Sequence, residues 1–387
     1  MKIVYAAGCI SEASYARLYG GSGTAPAFQA QKYNRLFAEG LAEHTQVDVV
    51  SYPSAEEAIL GSGVISLPDE TAGKVRYHYI PTYRPVLRRW LHYFLGSFSR
   101  CMKLLDGDSV VMIDCWNQMA GLGALLASKI KGCRCVGIIT DLPEFLGDGA
   151  TEALSKYLIR HCTDYVVLTE LMNNRVNKKR KPYVVLEGHA DITMASREPS
   201  LAKKSKKRIC MYAGSIHRIY GVERLVEGFR QAAIPNAELH IYGTGDYQQE
   251  LEEIAARDPS IFYGGLLLPS QVVEKEMEAT LLVNPRPSDE EFVKYSFPSK
   301  TMEYMSTGTP VLTTALPCLP EEYLPHLYFF REETPQGMAQ ALRQVLSLTD
   351  EELFQKGCQA RQFVLRERNN VVQAAKVLEM LEEKGKS

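Results

Sequence analysis

The stretch FPSKTMEYMSTGTPVLTT, residues 297–314, decides the fold class of this 387-residue chain. Pro298 suits the first turn of a helix, and a serine beside it, either Ser296 or Ser299, suits the N-cap. Gly308 is typical of a helix end, and the run PVLTT that follows it is typical of a strand. A helix followed at once by a strand is the repeating unit of a parallel α/β sheet.

The same alternation of strand and helix runs outward from this stretch in both directions. Short apolar runs recur from Ile3–Ala7 to Tyr183–Leu186, and several are apolar at consecutive positions, as in strands covered on both faces. The alternation resumes at Ile209–Ala213, after the polar and basic stretch ASREPSLAKKSKKR. We therefore predict two Rossmann-like, doubly wound α/β domains that face each other across a cleft.

The predicted boundaries follow from this break in the pattern. The N-terminal domain is expected at 1–190, a linker at 191–207, the second domain at 208–365, and a C-terminal helix at 366–387 that returns to the first domain. Apolar residues at helical spacing from Val371 to Leu381 support that last helix.

Composition favours a soluble enzyme and excludes other classes. Apolar residues make up 45% and charged residues 23% of the chain, and a net charge of -2 makes nucleic acid an unexpected partner. No apolar run approaches the roughly 18 residues that span a bilayer. The N-terminus, MKIVYAAG, resembles a first strand more than a signal peptide. Nine scattered cysteines without a CxxC pair favour free thiols in the cytoplasm, and we expect no metal site.

The start of the helix in 297–314 is suited to bind phosphate. Backbone amides at a helix N-terminus attract anions, and Lys300 adds a full positive charge there. Glu303 lies about one turn further on and can accept two hydrogen bonds from a ribose diol. A capped surface helix that carries an ordinary Lys and Glu is the alternative interpretation.

This segment resembles the donor-site helix of glycosyltransferase family 4, the retaining enzymes of the GT-B fold, also known as glycosyl transferases group 1. Its run Glu-Tyr-Met-x-x-Gly-x-Pro-Val matches the characteristic family pattern, and the resemblance covers nearly the whole chain. It implies that Glu303 binds the donor ribose and that Pro298 and Ser299 lie at the donor site. The family's first donor-site glutamate lies eight residues earlier, where this chain departs from the pattern with Tyr295.

A second stretch that carries the resemblance is YAGSIHRIYGVERLVEGF, residues 212–229. A strand ends at Gly214, and the loop after it can approach a pyrophosphate closely. Family members usually carry an Arg directly after this glycine, where the present chain has Ser215. We therefore predict that Arg218, further along the loop, binds the donor phosphates together with Lys300. An exposed loop arginine without a ligand is the alternative.

Two further glycine-containing loops follow predicted strands. The stretch IYGTGDYQQEL, residues 241–251, contains Gly243 and Gly245, and FYGGLL, residues 262–267, contains Gly265. A lone GxG is a weak signal. Both loops resemble the nucleotide side of the family's donor site, where backbone groups meet the base.

In the first domain, a glycine-rich stretch follows the first strand and resembles the family loop that faces donor phosphate and acceptor. A flexible surface loop is the alternative. The residues concerned are Gly20, Gly21, Ser22 and Gly23.

A candidate acceptor-side residue lies in GIITDLPEF, residues 137–145. Thr140 and Asp141 stand at the carboxyl end of a predicted strand, where family members often have a His-Asp or similar pair. We predict that Asp141 contacts the acceptor; a loop-capping role is the alternative.

The segment RPVLRRWLHYFLGSFSR, residues 84–100, mixes basic and aromatic residues at helical spacing. It suits a helix that lies on an anionic membrane, where lipid-linked acceptors are found. It suits equally a helix that packs on the first sheet with snorkelling arginines.

The resemblance implies a retaining, metal-independent hexosyltransferase of the bacterial surface-polysaccharide type. It would move a sugar from a UDP- or GDP-sugar in the second domain to a saccharide or lipid-linked saccharide held by the first. Arg218 and Lys300 would stabilise the leaving diphosphate, so no cofactor is expected. Two alternatives stay open, a non-catalytic nucleotide-sugar binding partner of another transferase and a GT-B nucleotide-sugar epimerase.

Overall fold

The alternation of strand and helix produces a parallel sheet in each of two units. The computed structural model describes residues 1–20, 28–55, 61, 63–146, 149–267 and 269–383. One unit comprises Met1–His189 with the C-terminal segment from Asn370, and the other comprises Ala190–Asn369. Within the described residues, no helix combines the length and the apolar character that crossing a membrane requires.

The first unit is built on a mostly parallel sheet. Its strands are β1 (Lys2–Ala6), β2 (Gln46–Ser51), β3 (Val64–Ile65), β4 (Glu70–Ala72), β5 (Val75–Tyr79), β6 (Thr82–Tyr83), β7 (Ser109–Asp114), β8 (Arg134–Ile139), β9 (Asp164–Val167) and β10 (Tyr183–Val185). The sheet order is β10-β9-β8-β7-β1-β2-β5-β4, with β4 antiparallel to β5 and with β3 and β6 paired separately. The central β7 is buried at every position, as in a strand covered on both faces.

Helices connect these strands. They are α1 (Glu12–Tyr19), α2 (Phe28–Ala42), α3 (Val86–Leu104), α4 (Gln118–Lys131), α5 (Pro143–Leu146), α6 (Gly149–His161) and α7 (Glu170–Val176). The hydroxyl of Ser97 on α3 donates to the Ala120 carbonyl of α4 at 2.7 Å, which joins these two neighbouring helices.

The second unit repeats the design with a fully parallel sheet. Its strands are β11 (Arg208–Ala213), β12 (Ala237–Tyr242), β13 (Ile261–Tyr263), β14 (Leu281–Asn284), β15 (Val311–Thr313) and β16 (Tyr328–Phe329). Their order is β13-β12-β11-β14-β15-β16, so the sheet reverses direction of growth between β11 and β14. Ligands of such sheets bind beyond the carboxyl ends of the strands at this switch point.

The helices of the second unit flank this sheet. They are α8 (Val222–Ala232), α9 (Gln248–Arg257), α10 (Pro269–Glu278), α11 (Ser299–Thr307), α12 (Pro335–Leu346) and α13 (Asp350–Glu367). Helix α8 buries Val222, Leu225, Val226 and Phe229 in the core of this unit, the spacing of one helical face.

The last helix, α14 (Asn370–Glu383), belongs to the first unit. Ala374, Val377, Leu378 and Leu381 join the core cluster of that unit. The side-chain amide of Gln373 donates to the Gly188 carbonyl at 2.8 Å. The predicted return of the C-terminal helix to the first domain is therefore present.

The stretch predicted as a linker, residues 191–207, is counted with the second unit. It contains two 3-10 turns, Ile192–Ser196 and Leu201–Lys203. Arg361 of α13 donates to the Met194 carbonyl at 2.8 Å, and the Lys204 ammonium donates to the Thr309 hydroxyl at 2.6 Å. Side chains of the second unit thus bind this stretch along much of its length.

Candidate functional site

The start of α11 has no side-chain cap within the described residues. Its N-cap is Pro298, with φ -74° and ψ 95°, and proline has no side-chain acceptor. The expected serine cap is wrong for a physical reason. Ser299 is already the first helical residue, and the hydroxyl of buried Ser296 accepts a hydrogen bond from Arg286 at 2.8 Å. The Thr301 amide donates to the Pro298 carbonyl at 2.9 Å, so only the amides that precede it can receive a ligand at this helix start.

Lys300 connects this helix start to the end of β11. Its ammonium donates to the Ala213 carbonyl at 2.8 Å. A Cβ on Gly214 would lie 1.7 Å from that nitrogen, and φ of Gly214 is +152°. Only glycine fits there without moving the lysine. The structure thus brings together two residues that were predicted from stretches more than 80 positions apart.

Tyr304 fixes the same junction from within the core. Its phenol lies at 3.1 Å from the Ala213 carbonyl, to which it donates, and at 2.9 Å from the Ala213 amide nitrogen, from which it accepts. Burial raises the pKa of Tyr304 well above its usual range, so the donor proton is retained. Helix α11 is therefore held in one register against β11.

Glu303 occupies the exposed side of α11. The residues around it, from Thr301 to Thr307, are buried, whereas Glu303 is partly accessible to solvent. It lies three positions after Lys300, so the two charged side chains share one face of the helix. A carboxylate at this place can accept hydrogen bonds from a diol beside an anion bound at the helix start.

Three glycine loops beyond neighbouring strands are hydrogen-bonded in series. The Gly214 amide donates to the Tyr242 carbonyl at 2.9 Å, and the Gly243 amide donates to the Gly265 carbonyl at 2.8 Å. A Cβ on Gly243, where φ is +133°, would lie 1.8 Å from the Gly214 carbonyl oxygen. The predicted glycines therefore let these loops approach one another, whatever ligand they meet.

The remaining predicted residues of these loops lie beside them. Gly245 lies against the Ile216–His217 backbone, and the Ser215 carbonyl accepts from the Tyr212 phenol at 2.7 Å. The backbone of the 214–217 loop is thus fixed on both sides.

Arg218 is tied to carboxylates in this structure. Its guanidinium forms ion pairs with Glu223 of α8 and Glu250 of α9, and it lies 4.8 Å from the centroid of the Tyr247 ring. The hydrogen bonds that it donates to both carboxylates raise its pKa. The predicted phosphate contact would require this arginine to exchange at least one carboxylate for the ligand.

Arg286 is a cation of this region that sequence reasoning missed. It follows β14, lies 4.9 Å from the centroid of the Phe292 ring, and donates to Ser296 next to the start of α11. The signal was present, since a lone arginine in NPRPSD directly follows a buried strand. Tyr295, which stands where the family has a glutamate, is half-buried and ends the 3-10 turn Glu291–Lys294.

The predicted acceptor-side residues belong to the first unit. Asp141 follows the end of β8 and is partly buried, and Gly20 is the C-cap of α1 with ordinary helical φ. Gly21, Ser22 and Gly23 lie outside the described residues.

A buried polar network at the carboxyl end of β7 was also missed. The Asp114 carboxylate accepts from Asn34 at 2.9 Å, from the Trp116 amide at 2.9 Å, and from Asn117. Burial raises the pKa of Asp114, and these donors oppose that effect. The signal was an acidic residue that ends the buried strand VVMID. The network fixes the loop that follows β7.

The basic and aromatic segment 84–100 forms most of α3, and the two faces of this helix differ in burial. One face of the helix buries Tyr93, Ser97 and Cys101 against the first unit. The opposite face exposes Leu87, Leu91 and Leu95, whose exposed fractions are 80%, 53% and 50%. These three leucines at four-residue spacing are here called the α3 leucine stripe.

Comparison with known proteins agrees with this architecture. Residues 207–348 match the family model described as glycosyl transferases group 1. No curated protein matches the chain at a significant level. Sucrose-phosphate synthase from Thermosynechococcus elongatus is similar in structure, with a TM-score of 0.70 and 16% identity over 99% of both chains.

Two further solved structures extend the comparison. HepE from Anabaena in complex with UDP has a TM-score of 0.65 and 13% identity over 99% of this chain and 100% of its own. The lipopolysaccharide outer core galactosyltransferase WaaB has a TM-score of 0.62 and 14% identity over the same shares. The predicted GT-B fold and the resemblance to group 1 glycosyl transferases are thereby confirmed.

Proposed function

We propose that this chain, which has the GT-B fold, is a glycosyltransferase that transfers a hexose from a nucleoside diphosphate sugar to a saccharide with retention of anomeric configuration. The observation that carries the proposal is the junction of Lys300 with Ala213, which puts an ammonium group beside the uncapped start of α11. A positive charge and helix amides together suit a diphosphate.

In the proposed donor complex, Glu303 accepts hydrogen bonds from the ribose hydroxyls. Gly243, Gly245 and Gly265 offer backbone groups to the base, and UDP is the base we expect first. The UDP complex of HepE, a protein of the same fold, supports that expectation. Tyr295 places a phenol where the family pattern has a carboxylate. We therefore propose that other side chains determine which hexose is bound.

The proposed reaction exchanges one bond at the anomeric carbon for another. The bond from that carbon to the diphosphate oxygen breaks, and the acceptor hydroxyl oxygen bonds to the same carbon on the same face. The hydroxyl proton passes to the leaving diphosphate oxygen. Lys300 and the amides of α11, joined by Arg218 if it releases a carboxylate, stabilise the negative charge on the diphosphate, so we assign no role to a metal or other cofactor.

For the acceptor, we propose a saccharide or lipid-linked saccharide that reaches Asp141 and the loop 20–23 in the first unit. The name of WaaB, a lipopolysaccharide galactosyltransferase, supports an acceptor of this kind. The α3 leucine stripe supports contact with a membrane surface. The segment from Arg84 to Leu105 carries arginines and no acidic residue, so it suits an anionic leaflet.

The test is incubation of purified protein with a panel of UDP- and GDP-hexoses, followed by mass spectrometry. We expect slow release of one nucleoside diphosphate by hydrolysis, and faster release when a suitable acceptor is added. Binding without release would favour the non-catalytic partner. Conversion of the sugar without release of nucleotide would favour the epimerase. Absence of binding to every donor in the panel would contradict the proposal.

A further inference from the structure

A cavity of about 730 Å³ lies between α6 and α7, at the β10 end of the first sheet. Its lining is strongly basic and includes one acidic side chain, Glu144. The cations that line it are Lys156, Arg160, Arg175, Lys178, Lys179 and Lys181, which are here called the basic cavity residues. None of these residues belongs to the proposed donor site.

The acidic residues of this region neutralise part of that charge. Glu144 accepts from Arg175 at 2.6 Å, and Lys156 pairs with Glu152 in the preceding turn of α6. In the part of the chain that the structure describes, Arg160 and Lys179 have no carboxylate partner, and both side chains are exposed. The cavity therefore keeps an excess of positive charge.

Lys181 places a fixed charge within the cavity wall. Its ammonium donates to the carbonyls of Arg160 at 2.8 Å and Cys162 at 2.5 Å, and to the Tyr165 phenol at 2.9 Å. These oxygens orient the ammonium without carrying a formal negative charge. Burial lowers the pKa of Lys181, which an anion bound nearby would oppose.

The rest of the lining is apolar or aromatic. Pro143, Ile159 and Val176 line the cavity together with Tyr165, and three of these four side chains are buried. Apolar walls with a few polar or charged groups are typical of binding sites for small organic molecules. The C–H faces of sugar rings pack on such walls, whereas a free phosphate has no apolar part that could use them.

The cavity begins close to the predicted acceptor residue in sequence. Pro143 and Glu144 open α5, two and three positions after Asp141. We propose that this cavity binds a negatively charged saccharide, whose carboxylate or phosphate groups meet the basic cavity residues. A nucleic acid is disfavoured by the net charge of -2 on the whole chain.

The test measures binding of fluorescently labelled oligogalacturonate to the full-length protein by fluorescence anisotropy, at low and at high salt. Neutral maltohexaose, inorganic pyrophosphate and a single-stranded oligonucleotide serve as competitors. We expect competition from unlabelled oligogalacturonate, weak or no competition from the other three, and affinity that falls with salt.

The variant Arg160→Gln with Lys179→Gln removes two exposed charges of the cavity. It should weaken oligogalacturonate binding by about tenfold, since two solvated ion pairs of ordinary strength are lost. The matched control is Lys129→Gln with Lys131→Gln, two exposed lysines at the end of α4. Thermal melting of each variant shows that it is folded.

Equal affinity of the cavity variant and the control would overturn the proposal, and so would better competition by maltohexaose, pyrophosphate or the oligonucleotide. Calorimetry with UDP separates this result from the proposed function. We expect UDP affinity to be the same in the cavity variant and the wild type. A wild type that binds oligogalacturonate in the cavity but no nucleotide would contradict the transferase and leave the anionic saccharide site in place.

Discussion

The Lys300 ammonium lies 2.8 Å from the Ala213 carbonyl oxygen, and this hydrogen bond joins the start of α11 to the carboxyl end of β11. The contact brings a cation to the switch point of the second sheet, where α/β proteins bind their ligands. The carbonyl oxygen orients the ammonium at this edge of the sheet, where a diphosphate can be bound.

The first prediction concerns this charge. Lys300→Ala should lower turnover by ~10²-fold or more, as removal of a transition-state charge stabiliser does. Steady-state release of nucleoside diphosphate measures it. Lys275→Ala is the matched control, because Lys275 pairs with Glu278 on the surface of α10. A Lys300→Ala enzyme with nearly normal kcat would contradict the phosphate role.

Gly214 offers an independent check of the same contact. Gly214→Ala leaves the lysine in the chain but forces it away, since the new Cβ would lie 1.7 Å from the Lys300 nitrogen. We expect a loss of turnover similar to that of Lys300→Ala. Gly149→Ala, where a Cβ would meet no atom within 4 Å, is the control.

A second prediction tests the ribose role of Glu303. Glu303→Ala should weaken UDP binding by roughly tenfold or more, because two hydrogen bonds to a charged acceptor are lost. The melting temperature should change little, since this side chain lies on the exposed side of α11. Isothermal calorimetry with UDP measures the affinity, and Glu274→Ala on α10 serves as the control. Unchanged affinity would remove the ribose assignment.

Sequence patterns predicted the folds of both sheets and the positions of the glycine turns at this edge, for a definite reason. Gly214, Gly243 and Gly308 carry information locally, because backbone that adopts positive φ strongly favours glycine. The proximity of Lys300 to Gly214 is a tertiary contact. It arises because the end of β11 and the start of α11 lie at the same edge of the parallel sheet. Local signals such as the glycines can be recognised in the sequence without any knowledge of tertiary contacts.

Arg218 shows what such reasoning could not reach. Its partner Glu223 is close in sequence, but Glu250 comes from the helix after the next strand. Whether a loop cation points to a ligand or to a carboxylate depends on distances that only the fold provides. The same is true of Ser296. Its hydroxyl accepts a hydrogen bond from Arg286, and the sequence does not show that it is therefore unavailable to cap the helix.

The third prediction follows from this pairing. Arg218→Ala should lower turnover by ~10²-fold if the arginine exchanges a carboxylate for the donor diphosphate, as we predicted. Glu250→Gln should then increase donor affinity, because it weakens the competing ion pair. Calorimetry with UDP and turnover assays measure both variants. An Arg218→Ala enzyme with normal turnover, or a Glu250→Gln enzyme with unchanged affinity, would show that the arginine only holds α8 and α9 together.

A fourth prediction concerns the α3 leucine stripe. Leu87→Ser with Leu91→Ser should reduce binding to vesicles that contain phosphatidylglycerol by about tenfold, because partial insertion of each leucine contributes roughly 1 kcal/mol. Cosedimentation measures the bound fraction. Leu126→Ser with Ile130→Ser is the control, since these α4 residues are exposed by 40% and 58%. Equal loss in both variants would mean that α3 has no special affinity for membranes.

The last prediction uses a partly buried lysine of the second unit, Lys204. Burial lowers the pKa of Lys204 from 10.5 to about 8, and its ammonium donates to the Ala279 carbonyl and the Thr309 hydroxyl. Between these two pKa values the unfolded chain binds more protons than the folded chain at this site. The contribution of Lys204 to stability therefore rises as pH increases from 8 towards 10.5, and it is smallest below 8.

Denaturant unfolding at pH values from about 7.5 to 9.5 tests this sign. The free energy of unfolding of the wild type should rise relative to that of Lys204→Met by up to about 2 kcal/mol over the interval, as a shift of this size implies. Lys203→Met, a change at the exposed neighbouring residue, should follow the wild type. If the difference between the wild type and Lys204→Met is constant with pH, the buried ammonium keeps its ordinary pKa, and its hydrogen bonds to Ala279 and Thr309 compensate fully for its desolvation.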